Sequence, residues 1–162
     1  MINKEEFIGA VQHEFSIIRH LAAKLREEDL AYRPSEGQRS ILETLQYVSF
    51  IVALTIESVA TGDMTLFQKS DAASKEVNLS NFDQAMAVQG DKVKTLVEAM
   101  TDEQLAEEVD MWIKQSRALH CLMALKFAVA YKMQLFLFMK AAGHKDIGTI
   151  NVWAGVDAPA KE

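Results

Sequence analysis

Only two prolines, Pro34 and Pro159, occur in the 162-residue chain. Proline removes a backbone donor and clashes with the preceding helical turn, so long helices can run unbroken where it is missing. Four long segments carry helical patterning, with no alternating strand signal and no internal repeat. The first runs from about Lys4 to Arg26 and repeats Val11, Ile18 and Leu25 at seven-residue spacing, flanked by Phe7, Ile8, Phe15 and Leu21. That is an amphipathic helix with a broad apolar face. At ~100° per residue, His13 and His20 lie ~200° from the centre of that face. They are expected to point to solvent, and their ~10 Å axial separation is too great to share a metal ion.

The stretch DLAYRPSEGQR, with Pro34 and Gly37, reads as a connection. Ser40 and Glu43 then form a capping box that opens a second helix, which ends before Gly62. This helix is apolar nearly all round (Ile41, Leu45, Val48, Ile51, Val52, Ile56) and is expected to be covered on several sides. Residues Asp63 to Ser80 form a polar connection long enough to cross over between helices that are not antiparallel neighbours. Asn81 to Gln84 offers a cap for a third helix reaching about Met100, and Thr101 to Gln104 starts a short extra turn. Glu107 to Lys114 reads as extended, with Trp112 over one end of the core.

Ser116 caps the fourth helix, which runs to about Ala142 before Gly143. One stripe of this helix carries His120, Phe127, Tyr131, Gln134 and Phe138. The opposite side carries Leu122, Leu125, Val129, Met133 and Phe136, with Lys132 among them. Apolarity on both sides predicts a bundle interior on one and a partner on the other. The tail from Ile147 is expected to lay Trp153 over a bundle end, and His144 to sit in solvent. The expected architecture is therefore all-α: a single domain over 1–162, a four-helix bundle with a long crossover connection between helices 2 and 3.

Composition sets the function classes aside that this chain does not suit. With 49% hydrophobic and 25% charged residues it has the makings of one packed core. A formal net charge of −6 without a basic stripe argues against nucleic acid as a partner. The apolar run from Cys121 to Met139 is broken by Lys126, Lys132 and Gln134, and MINKEEF is not a signal peptide, so no membrane partner is expected. A lone cysteine, Cys121, in an apolar stretch reads as a small buried hydrophobe and fits a cytoplasmic setting. No HExxH, CxxC, EF-hand loop, phosphate-binding glycine loop or GxSxG elbow occurs. The acidic runs Glu27-Glu28-Asp29 and Glu107-Glu108 read as solvated faces.

Two stretches, RPSEGQRSILETLQYV (Arg33 to Val48) and FAVAYKMQLFLFMKAAG (Phe127 to Gly143), resemble the DinB/YfiT-like superfamily of bundle proteins, and the order and spacing of the other segments agree. In that family three histidines commonly bind a divalent metal, one on the second helix about seven residues after its cap and two on the last helix as HxxxH. The resemblance places Tyr47, Phe127 and Tyr131 at those positions, with Gln134 keeping the family's glutamine. Phe127 has no donor atom, and a neutral tyrosine with an unperturbed pKa near ~10 is a poor ligand for zinc or nickel. No metal and no cofactor are therefore expected. His120 shares the stripe but sits two turns from Phe127, one histidine without partners.

Three readings of function follow. The first is a structural, interaction or small-ligand-binding bundle, with a small molecule in the interior near Tyr47, Phe127, Tyr131, Gln134 and His120. The second, implied by the resemblance, is a metal-dependent thiol transferase, isomerase or hydrolase with an atypical site. The third is an acid–base site made of the tyrosine hydroxyls and His120. A homodimer through the outer face of the fourth helix is the expected assembly.

Overall fold

The computed structural model describes residues 3–159, apart from the side chains of residues 69–72. Its helices are α1 (Lys4–Ala22), α2 (Ile41–Thr61), α3 (Leu66–Ser74), α4 (Phe82–Ala99), α5 (Asp102–Ala106), α6 (Arg117–Ala141) and α7 (Thr149–Ala154). A 3-10 turn covers Glu27–Asp29, and β1 (Glu108–Asp110) pairs antiparallel with β2 (Lys114–Ser116). The long helices α1, α2, α4 and α6 make the bundle expected from the sequence, with α1 and α2 each packed against both α4 and α6.

Side-chain bonds between helices fix their directions. Gln89 of α4 donates to Val48 O and accepts from the Val52 and Ala53 N–H groups, and Lys92 pairs with Glu57 at 2.6 Å. Numbers ascend together on α2 and α4, so these neighbours are parallel. On α1, Gln12 donates to Gly90 O and Arg19 pairs with Asp83, which makes α1 antiparallel to α4. Arg117 reaches the Val59 carbonyl while Tyr131 stacks on Tyr47, which makes α6 antiparallel to α2. A parallel pair cannot be joined by a tight turn. The connection after α2 has to return along the whole bundle, and it does so partly as α3, where the sequence had suggested only a polar link.

Caps account for most boundaries. Ser40 Oγ accepts from the Glu43 N–H while Glu43 accepts from the Ser40 N–H, and Thr101 with Gln104 repeats the box. Gly62 ends α2 at φ 73°, where a Cβ would be strained. Asn81 departs from expectation. Its Oδ1 accepts from the Asn78 N–H and its amide donates to Glu76 O, so it closes the preceding turn instead of capping through Gln84. The core is continuous through Val11, Leu21, Leu45, Val52, Met86 and Met139.

By length and composition alone α2 and α6 could each cross a membrane. The apolar stretch of α2 is 67% buried inside the bundle, as suits a core helix, whereas that of α6 is only 33% buried. The difference is a bare outer stripe of Leu119, Leu122, Val129, Met133 and Leu137. Leu125 and Phe136, expected on this face, are half-buried along its edge.

Several expected placements are corrected. Trp153 is 66% exposed and does not cover the bundle end; Ile147, Asn151 and Val152 bury themselves instead. Trp112 is exposed at the hairpin turn but does lean edge-on against Phe67. Lys132 is not on the outer side. It is 2% exposed and its ammonium lies 2.7 Å from Glu14 of α1. His144 is buried and meets Asp29, which is itself buried and not part of a solvated acidic run. His20 is half-covered by the tail, with Asn151 donating to it.

Candidate functional site

Tyr47 lies in the second turn of α2 and Tyr131 lies opposite it on α6, because the two helices run antiparallel. Their ring centroids are 4.8 Å apart at 53°, and Phe50 meets Tyr47 edge-on at 5.5 Å. Aromatic quadrupoles favour such tilted and T-shaped pairs over face-to-face stacks. Arg39, the residue before the Ser40 cap, folds back over this cluster. Its guanidinium stands 4.0 Å from the Tyr47 ring centroid, and Nη1 donates to the Tyr131 hydroxyl at 3.4 Å. The attraction of a cation to a ring face holds it there. No carboxylate among the described residues forms an ion pair with it. The nearby Glu43 carboxylate is held by the Ser40 N–H and by Arg33 at 3.2 Å, and these, with the positive charge of Arg39, keep it below the usual carboxylate range.

Burial pushes the Tyr47 phenol above its ordinary value, and Tyr131 beside it adds to the effect. Tyr47 therefore stays protonated at neutral pH. It also forms one wall of a cavity of about 430 Å³ between α2 and α3, shared with Arg39, Gln46, Phe50 and Phe67. Gln46 secures the far side by donating to the Lys75 and Val77 carbonyls. A second, mainly apolar groove of about 680 Å³ lies between α2, α3 and α4, and Phe50 and Ser74 line both spaces.

The residues singled out in the sequence divide into two places. Tyr47 and Tyr131 are together, and Phe127 and Gln134 lie half-buried on the same flank of α6 as Tyr131. His120 is elsewhere. It is fully buried near the start of α6, eleven positions and ~16 Å of helix axis from Tyr131. Gln115 lies 3.2 Å from its Nδ1, Val109 O lies 3.4 Å from its Nε2, and Trp112 flanks its ring. This is a histidine with both nitrogens occupied under the β-hairpin, with no tyrosine hydroxyl in reach. Cys121, its neighbour, has its thiol pushed up to about 11 by burial, so it carries almost no thiolate at neutral pH.

Arg39 is the residue that sequence reasoning missed. It precedes the Ser40 cap and so lies outside α2, where no helical spacing marks it. Among the described residues, no three His, Cys, Asp or Glu side chains are grouped as metal ligands would be.

The all-α, up-down-down-up bundle, with a crossover between its parallel helices, is similar in fold to DinB-like proteins of known structure. No family model matches the chain. An uncharacterised protein of Bacillus subtilis (strain 168), YjoA, is 21% identical over 152 residues, which span 91% of this chain and 96% of YjoA. The crystal structure of that DinB-like protein superposes with a TM-score of 0.72 at 19% identity, covering 89% of this chain and 96% of that one. A putative DinB-family member from Exiguobacterium sibiricum 255-15 also reaches 0.72, at 18% identity, covering 91% and 96%. A DinB-like protein from Bacillus cereus ATCC 10987 reaches 0.69 at 12% identity, covering 90% and 96%. The likeness extends over nearly the whole of each chain, and at these identities it is a likeness of fold.

Proposed function

We propose that this DinB-like bundle is a small-ligand-binding protein whose site lies beside Tyr47, and that it works without the metal centre the resemblance implies. The observation that carries this reading is the Arg39 guanidinium, 4.0 Å over the Tyr47 ring at the mouth of an open cavity, with no carboxylate ion-paired to it among the described residues. An unpaired cation on an aromatic wall suits an anionic or electron-rich guest.

The donor set speaks against a metal at the corresponding positions. Phe127 offers no lone pair, and the Tyr47 phenol is held protonated by its burial. A fixed guanidinium beside the two rings would also repel a divalent cation. A thiol or water activated by a Lewis acid has no support in these side chains. The single buried cysteine accords with a cytoplasmic protein. The bare stripe of α6 supports self-association as a homodimer.

The test is native mass spectrometry with elemental analysis on untagged protein. The expected result is no stoichiometric zinc, nickel or manganese, with any co-purifying mass being organic. Stoichiometric tight metal would overturn the proposal.

A further inference from the structure

The cavity at Tyr47 and the groove beyond Phe50 differ in character and adjoin at shared lining residues. The first, about 430 Å³, presents Arg39, Gln46 and the Tyr47 ring. The second, about 680 Å³, is lined largely by Ala53, Leu54, Leu66, Ala85 and Val88. Phe50 and Ser74 border both. Glu43, Glu57 and Glu76 line these spaces; Glu43 is held by Ser40 and Arg33, and Glu57 pairs with Lys92 at 2.6 Å. Arg39, with no ion pair among the described residues, therefore stands at one end of two adjoining spaces, and a mainly apolar wall lies at the other.

We propose that the ligand is an amphipathic monoanion, a medium-chain carboxylate, whose carboxylate is taken by Arg39 and whose chain lies past Phe50 in the groove between α2 and α4. This rests on the ligand-binding reading above and adds the chemical class. A carboxylate would form the charge-assisted pair that Arg39 lacks. A chain of about ten methylenes, at roughly 30 Å³ each, fills about 300 Å³, which the groove accommodates. A short aromatic acid would use the first space and leave the second wet. A long-chain alcohol would lose the pairing with Arg39.

Isothermal titration of the full chain with dodecanoate below its micellar concentration tests this, with 4-phenylbutyrate and dodecanol as comparisons. Two variants accompany it: Arg39→Gln at the head, and Val88→Glu at the tail, where Val88 is 57% exposed and the fold is expected to tolerate the change. The expected result is 1:1 binding of dodecanoate, weakened roughly tenfold or more by Arg39→Gln, as suits loss of one charge-assisted pair. Val88→Glu is expected to weaken dodecanoate and leave 4-phenylbutyrate unchanged. Binding of 4-phenylbutyrate but not dodecanoate would overturn the chain-length inference and leave the ligand-binding reading standing. Dodecanoate binding unaffected by both variants would place it elsewhere, for instance on the α6 stripe, and would overturn the inference. No binding of any probe to the natural chain would count against both.

Discussion

His144 Nε2 lies 2.8 Å from Asp29 Oδ2, joining positions 115 residues apart at the end of the bundle where α6 stops. Arg26 completes the clamp, donating to Asp29 through its backbone N–H at 2.8 Å and through its guanidinium at 2.9 Å. The side chains of Asp29 and His144 are 3% and 5% exposed, so neither can exchange its partner for water.

Asp29→Asn is expected to destabilise the fold by about 2–4 kcal/mol, because it removes a buried charge from the Arg26 and His144 groups placed to receive it. The Arg26 side chain is the main reason the Asp29 carboxyl is held well below its usual range; burial opposes this, and the Arg26 N–H and His144 reinforce it. A depressed carboxyl contributes stability that is complete above its unfolded pKa of about 3.9 and is lost as pH falls through the folded value. Urea denaturation should therefore show the gap between the natural chain and Asp29→Asn at pH 7 narrowing steadily below about pH 4. A gap independent of pH would remove the charge from the explanation.

Lys132 and Glu14 make a different kind of pair. Their side chains are 3% and 16% exposed, and Trp153 places its ring 5.2 Å from the ammonium. Lys132→Met alone strands the Glu14 carboxylate and should cost about 3–5 kcal/mol. Combining it with Glu14→Gln should recover most of that loss, since a matched neutral pair needs no desolvated charge. The measurement is a double-mutant cycle in urea; additive losses would mean the two residues do not act as a pair.

The resemblance makes a constructive prediction about the aromatic positions. Replacing Tyr47, Phe127 and Tyr131 by histidine, with Arg39→Ala to remove the opposing cation, should create a site that retains stoichiometric zinc or nickel through dialysis. The natural chain should retain none. A variant that keeps its helical circular dichroism but takes up no metal would show that these three positions do not converge as ligands.

Local chemistry was legible and long-range pairing was not. The Ser40–Glu43 and Thr101–Gln104 boxes, the Gly62 stop and the period of α1 and α2 each depend on neighbours within a turn or two, so the sequence displays them. The crossover was readable because a link of this length permits the chain to return between helices that are not antiparallel neighbours. His144 looked exposed because it follows the helix end, and Lys132 looked outward because it stands among outward residues. Each is buried by a partner, Asp29 or Glu14, that no spacing rule brings near. The Tyr47–Tyr131 contact could be anticipated from the resemblance. Arg39 could not, since its place is set by cation–π attraction to rings from two different helices.

The outer stripe of α6 gives the prediction about assembly. Leu119, Leu122, Val129, Met133 and Leu137 recur at three- and four-residue spacing along 25 residues of helix, interrupted by Lys126. Such an apolar line is costly to leave in water. A two-fold axis across it would set one α6 against its copy, with each Lys126 free to swing its ammonium to the rim. Light scattering at high micromolar concentration should return about twice the 18.1 kDa chain mass. Val129→Glu with Met133→Glu should return the monomer with unchanged helical content, because both positions are exposed in the isolated chain. A monomeric natural chain under the same conditions would rule this dimer out.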